Sequence, residues 1–379
     1  MYRGRVERTP LTELLWLFLR LGATAFGGPA AHIAMMHEEV VVRRRWLSEE
    51  AFLDLVGATN LIPGPNSTEL AIHIGWQRRR FAGLVTAGIA FIVPAMLLTG
   101  ACGWLYVRFG TVPTAKWMLY GVKPVILGVV LQAILALAPK AARTTWLRVL
   151  GVGVAVAVVT GVNELVALVG AGAMAAIVAG AKKNDAGLAP LAPLASTAAA
   201  GAAASAITLP SIFWVFLKIG SVLFGSGYVL VAFLRSDLVE RLGWLTEGQL
   251  LDAIAVGQVT PGPVFTTATF IGYVLAGPKG ALVATAGIFL PAFVFVAISG
   301  PLVPRIRRSR VAGAFLDGVN VGSLVLMATV TLQLGRSTLV DAPSVVIALA
   351  SAVLLIRFKL SSTWVLLGGA AAGWVVSVI

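Results

Sequence analysis

The sequence is poor in charge, cysteine and histidine. Only 12% of its 379 residues are Asp, Glu, Lys or Arg, about half the ~25% usual in a soluble domain. That scarcity excludes a soluble enzyme and a disordered chain. The lone cysteine, Cys102, cannot form an intrachain disulfide. His32, His37 and His73 show no HExxH spacing and have no cysteine beside them, so neither a metal nor a cofactor is expected. There is no GxxxxGK[ST] pattern, hence no Walker-type ATPase. The first residues, with Arg3, Arg5, Arg8, Glu13 and Arg20 among apolar ones, lack the uninterrupted core of a signal peptide.

What is abundant is apolar sequence. Residues 81–107, 186–217, 281–304 and 360–379 carry no charge at all, and each reaches the roughly 20 residues that cross a bilayer. The chain reads as an all-α integral membrane protein whose environment is the lipid bilayer. Its net charge of +13 then reflects the Lys and Arg that fix topology, and no nucleic-acid partner is expected.

The chain is also built twice. Phe26-Gly27 recurs as Phe224-Gly225, Trp46-Leu47 as Trp244-Leu245, Asp54 as Asp252, and Pro63-Gly64-Pro65 as Pro261-Gly262-Pro263, always 198 positions apart. Sliding 18–65 onto 216–263 gives 16 identities in 48 positions without a gap. Beyond one lost residue, Ile74-Gly75, Gly83 and Pro94 match Ile271-Gly272, Gly280 and Pro291 at an offset of 197. Domain boundaries follow: a first repeat over 1–185, a connecting Ala-rich segment over 186–209, and a second repeat over 210–379.

Loop charge suggests how the copies are oriented. Arg78, Arg79 and Arg80 face a single Lys279, whereas Arg108 and Lys116 face Arg305, Arg307, Arg308 and Arg310. The excess switches again with Lys140, Arg143 and Arg148 against Arg336, and once more with Arg357 and Lys359. Under the positive-inside rule, equivalent loops then lie on opposite sides, the mark of inverted-topology repeats. Inversion needs an odd number of crossings. Candidates near 81–107, 114–139, 146–162 and 165–181 leave 186–209 to supply the last one. A linker is the alternative there, since Pro190 and Pro193 break helices.

Each copy opens unlike a plain spanning helix. Pro-Gly-Pro removes two N–H donors and adds a permissive glycine, so it interrupts any helix. The runs on either side, 48–60 and 66–77, are too short to span. Broken or re-entrant helices near each Pro-Gly-Pro are therefore expected, of the kind that forms substrate sites at repeat interfaces. Asn66, Ser67 and Thr68, with Thr266 and Thr267, place polar side chains and free backbone N–H groups at helix starts, where an oxyanion could be held. Asn66 and Glu69 also read as a capping box. Asn60 and Gln258 are equivalent amides before each break, alternatively glue between helices. Gly64 and Gly262, with Gly27, Gly28, Gly225 and Gly227, allow backbone to approach a ligand or allow close helix packing. Arg20 and Lys218 are matched cations, with snorkelling to an interface as the alternative. Lys123, aligned with Asn320, is a weaker candidate for the same role.

The blocks FGGPAAHIAMMHEEVV, RRRWLSEEAFLDL and NLIPGPNSTELAIHIG, with LFGSG, WLTEGQLLDAIAVGQVTPGPVFT and GIFLPAF in the second copy, resemble the chromate ion transporter family in its long, two-domain form. The resemblance covers both copies. It implies an inner-membrane protein that exports chromate and confers chromate resistance, not an enzyme. The family's glutamine before the first Pro-Gly-Pro is matched here by Asn60, while Gln258 keeps it in the second copy. Sulfate, another tetrahedral dianion, is the alternative cargo, taken up or exchanged by the same fold. A homodimer is compatible with all of this.

Overall fold

The computed structural model describes residues 9–25, 29–59, 62–110, 112–181, 206–223, 229–299 and 310–376. Among them every regular element is helical. The first copy contains α1 (Leu11–Thr24), α2 (Pro29–His37), α3 (Glu49–Thr59), α4 (Asn66–Phe109), α5 (Pro113–Ala141), α6 (Thr145–Val159) and α7 (Glu164–Ala181). The second contains α8 (Leu209–Val222), α9 (Leu230–Leu234), α10 (Glu247–Val259), α11 (Thr267–Ser299), α12 (Arg310–Thr338), α13 (Ala342–Ile356) and α14 (Ser362–Val376). The Ala-rich segment expected to cross at 186–209 lies outside the described residues up to 205.

Local chemistry starts the helices at matching places. Ser48 and Thr246 cap α3 and α10 by accepting from the N–H of Ala51 and Gln249, both at 3.2 Å. Thr144 and Asp341 do the same for α6 and α13, from Leu147 and Ser344. These caps stand at the offsets read from the sequence. α2 and α9 both run on into π-helical turns, Glu38–Arg43 and Arg235–Arg241, and each ends beside a left-handed residue, Arg45 or Gly243.

The long helices α4 and α11 are hairpins. Non-helical torsions at Arg79–Arg80 and Ala276–Gly277 reverse the chain. A Cβ on Gly75 would fall 2.2 Å from the carbonyl oxygen of Gly83, and one on Gly272 would fall 2.3 Å from that of Gly280. Only glycine lets the two arms approach this closely. The short first arm of each hairpin follows Pro-Gly-Pro, and the second is a long apolar arm. Four helices are long and apolar enough to cross a membrane among the described residues: α4, α5, α11 and α12. Large apolar side chains such as Val149, Val152, Val156, Leu349 and Val353 remain outward-facing, as lipid contact requires.

The copies interleave. Gly121 of α5 lies against Gly369 and Gly373 of α14, and its counterpart Gly318 of α12 lies against Ala171 and Ala175 of α7. The hairpins also pack on each other. Gly103, far along the second arm of α4, abuts Tyr273, three residues before the turn of α11. Gly88, near the α4 turn, abuts Phe293, well past the α11 turn.

Candidate functional site

The Pro-Gly-Pro segments sit at the tips of two short helix pairs. Arg78, at the end of the first arm of α4, donates through Nε to Thr9 Oγ1 at 2.7 Å and through Nη1 to the Trp46 carbonyl at 3.2 Å. That holds the end of this arm beside the start of α3, so the two short helices run antiparallel with residues 63–65 between them. Each tip is fastened to the opposite copy. Gly64 N–H donates to the Leu223 carbonyl at 2.7 Å, and Gly262 N–H donates to the Ala25 carbonyl at 2.9 Å. Donors and acceptors both exchange at the offset of 198. The glycines have φ of +141° and +91°, where a side chain is strained whatever the space around it.

Helix α4 begins immediately after Pro65, and no side chain caps it. The capping box expected between Asn66 and Glu69 is therefore not formed: Asn66 is already helical, and Pro65 occupies the capping position. Backbone N–H groups of Thr68 and Glu69 turn back to the Pro65 carbonyl, leaving that of Ser67 at the open end of the helix. Thr68 is wholly buried, and its hydroxyl has no hydrogen-bond partner among the described residues. In the second copy the turn is tighter. Thr266 and Thr267 donate their hydroxyls to the Pro263 and Val264 carbonyls, each at 2.8 Å. Gln258 is buried at the end of α10. Asn60, Gly27, Gly28, Gly225 and Gly227 lie outside the described residues.

His32, set aside in the sequence, joins these parts. Its Nε2 lies 3.0 Å from the Ala25 carbonyl and its Nδ1 lies 3.1 Å from Ser67 Oγ. A carbonyl only accepts, so Nε2 carries the proton and the Ser67 hydroxyl donates to Nδ1. The Ala25 carbonyl thus receives both His32 and Gly262. One buried imidazole ties α1, the start of α4 and the second tip. No spacing in the sequence pairs residues 32 and 67.

The matched cations have matched partners. Arg20 lies 2.5 Å from Glu39, and Lys218 lies 2.8 and 2.9 Å from the two oxygens of Asp237. Arg43 and Arg241 complete each cluster at 3.2 and 2.9 Å. The carboxylates are buried and the cations half-exposed. These clusters join α1 and α8 to the π-helical turns. This signal was in the sequence, because opposite charges recur 19 residues apart in both copies. Lys218→Met is expected to lower the melting temperature in detergent, by about 2 kcal/mol of stability, since it leaves buried Asp237 with Arg241 alone. Adding Asp237→Leu should recover part of that loss, and a purely additive result would rule out the coupling. Lys123 lies 3.4 Å from Asp252 of the other copy, which also accepts from the Tyr106 hydroxyl at 2.8 Å. No group of three or more His, Cys, Asp or Glu suited to a metal occurs among the described residues.

Comparison with known proteins assigns the chain to a family. The family model described as chromate transporter matches residues 12–177 and again 210–374, one match per copy. A chromate transport protein of Cupriavidus metallidurans is 32% identical over 97% of this chain and 94% of its own length. One of Pseudomonas aeruginosa is 33% identical over 96% and 92%, and a probable chromate transport protein of Synechococcus elongatus is 32% identical over 90% and 89%. No solved structure matches. With both copies matched and its relatives aligned over nearly their whole length, this multi-pass membrane chain belongs to the chromate transporter family, in the long form that carries two family-model halves, and is a transporter rather than an enzyme.

Proposed function

We propose that this protein exports chromate across the inner membrane, and that the dianion is held where the two Pro-Gly-Pro tips meet the first helices of the opposite repeat. The observation that carries this reading is the exchange of Gly64 N–H to Leu223 and Gly262 N–H to Ala25. It supports two inverted repeats, 1–185 and 210–379, each inserting a re-entrant helix pair, with the uncharged stretch 186–209 as the odd crossing. The reversed contacts of the hairpins, Gly103 on Tyr273 and Gly88 on Phe293, support the same arrangement.

In this reading Thr68 offers its hydroxyl, Asn66 its side-chain amide and Ser67 its backbone N–H at the start of α4. Thr266 and Thr267, whose hydroxyls are spent on the Pro263 and Val264 carbonyls, shape the second turn so that its helix start faces the anion. Gly64 and Gly262 let the backbone turn, Gln258 stands at the end of α10, and Asn60 is its equivalent in the first copy by sequence. Gly27, Gly28, Gly225 and Gly227 follow the helices that receive the tips. Arg20 and Lys218 add positive potential that Glu39 and Asp237 hold in place. A helix start carries roughly half a positive charge, so two of them attract a dianion without an unpaired buried cation. Movement of one repeat against the other would expose the site to each side in turn. Each charge is worth about 2.3 kcal/mol per 100 mV. A dianion leaving a negative interior gains roughly twice that, so the potential alone favours export.

The test is flux of radiolabelled chromate in proteoliposomes under an imposed potential, with sulfate as competitor. Chromate is expected to move toward the positive side, and sulfate to compete because it has the same shape and charge. Absence of potential-driven chromate movement would sink the proposal. Sulfate flux without chromate flux would reassign the cargo.

A further inference from the structure

Glu69 has a role that the tip geometry alone does not account for. It lies on the first arm of α4, three residues past its start, and is wholly buried. Neither carboxyl oxygen has a hydrogen-bond partner among the described residues. A Cβ on Gly64 would fall 2.3 Å from its Oε1, so the carboxyl presses on the backbone of the first tip. The surrounding elements offer it little countercharge. The second arm of α11, which reaches Gly64 through Ala292, has Lys279 as its ionisable residue, and Lys279 is exposed at the far end. Arg20 of α1 and Lys218 of α8 are engaged by Glu39 and Asp237. The antiparallel α3 brings Asp54, which has an interaction of its own, and α2 brings His32, occupied by Ser67 and Ala25. On its own helix the neighbour one turn on is His73, buried, with Nε2 unpartnered among the described residues.

A bare carboxylate in such a place is strongly disfavoured, and it neutralises itself by taking a proton. We infer that Glu69 is a proton-binding site coupled to the transported oxyanion: its carboxyl holds one proton while the dianion occupies the tip, and gives that proton up when the dianion leaves. This rests on the transport reading above. The sign follows from charge. Ionised Glu69 repels a dianion at the start of its own helix, and the protonated carboxyl does not, so each ligand raises affinity for the other by the same factor. His73 stands on the same helix face, between Glu69 and the turn at Arg79–Arg80. It is placed to pass the proton toward that turn, accepting it at one ring nitrogen and releasing it from the other. The second copy has Thr266 and Phe270 at the aligned positions, so the duplication supplies one such carboxyl. One proton travels with each dianion, and the cycle moves one negative charge outward instead of two. The membrane potential still drives export.

The experiment compares wild type with Glu69→Gln in proteoliposomes, reading chromate flux, proton movement by an internal dye, and flux against imposed potential. Chromate's own protonation is common to both proteins and cancels in their ratio. Wild-type flux relative to the variant is expected to fall roughly tenfold per pH unit above the Glu69 midpoint. The variant should move no proton and two charges per anion. Equal pH profiles and equal charge per anion in the two proteins overturn the coupling and leave the transport reading standing. A wild type that moves no oxyanion at any pH overturns both. Should Glu69→Gln fail to insert, Glu69→Asp carries the test: a displaced pH midpoint supports the coupling, and an unmoved one overturns it.

Discussion

Gly64→Ala and Gly262→Ala are each expected to abolish chromate flux, by about a hundredfold or more, in protein that still reaches the membrane. The backbone sets this. At Gly64 a Cβ would meet the Glu69 carboxyl at 2.3 Å, and at Gly262 it would meet Ala95 Cβ at 2.7 Å and the Gly22 carbonyl at 2.9 Å. Both residues are also left-handed, which costs a side chain about 1–3 kcal/mol where the surroundings hold it there. The Glu69 carboxyl can swing aside, so at Gly64 the strain is that of the left-handed backbone itself. Relaxing it, or relieving the Ala95 and Gly22 contacts at Gly262, moves the tip off its N–H bond to the opposite repeat and misplaces the helix start. A shift of about 1 Å can cost a hundredfold in a process that depends on position. The duplication supplies a control. At the left-handed positions 45 and 243 one copy has arginine and the other glycine, and at 80 and 277 the same is true. Gly243 and Gly277 have nothing within 4 Å of an added Cβ, so alanine there should leave flux near the wild-type value. At 64 and 262 both copies keep glycine. Flux through Gly64→Ala equal to that through Gly243→Ala, at matched protein in the membrane, would remove the tips from the transport path.

Much of this architecture was legible because the chain repeats itself. A pattern seen once, such as Trp-Leu-Ser-Glu, is weak, but its return as Trp-Leu-Thr-Glu at a fixed offset marks a helix start, and Ser48 and Thr246 cap as their positions suggest. The break at Pro-Gly-Pro was legible for the same reason, and because proline chemistry is local. Contacts between copies were not. Gly64 finds Leu223 159 positions away, and no periodicity encodes which carbonyl receives a given N–H. The seating of α5 against α14 depends on small residues, Gly121, Gly369 and Gly373, in a sequence where glycine is common everywhere. Glu69 misled because a capping box and a buried acid share one pattern. Only the backbone at Pro65 separates them, since a helix that starts at Asn66 leaves Glu69 no capping bond to make.

Cysteines placed just past the two hairpin turns are expected to react from opposite sides of the membrane, all or none. Ala82 and Lys279 are equivalent and both exposed, and Cys102, half-buried in the long arm of α4, is first replaced by serine. An impermeant maleimide applied to intact cells should label Lys279→Cys and spare Ala82→Cys until the membrane is opened. The direction comes from Arg78, Arg79 and Arg80 beside the first turn, which the positive-inside rule keeps in the cytoplasm. The opposition comes from packing. Gly103 lies some twenty residues beyond the α4 turn yet touches Tyr273, three residues before the other turn; at 1.5 Å per residue that separation is about 30 Å, the depth of the hydrocarbon core. On that spacing the two turns are expected on opposite faces. The result bears on the anion as well as the topology. Two re-entrant pairs entering from the same side would aim their helix starts in the same direction, and the second would add little to the field at the first. Entering from opposite sides, both electropositive ends converge at mid-depth, and a dianion can be held with Arg20 and Lys218 remaining bound to their own carboxylates. Labelling of both cysteines from one side would therefore dismantle the site together with the inversion.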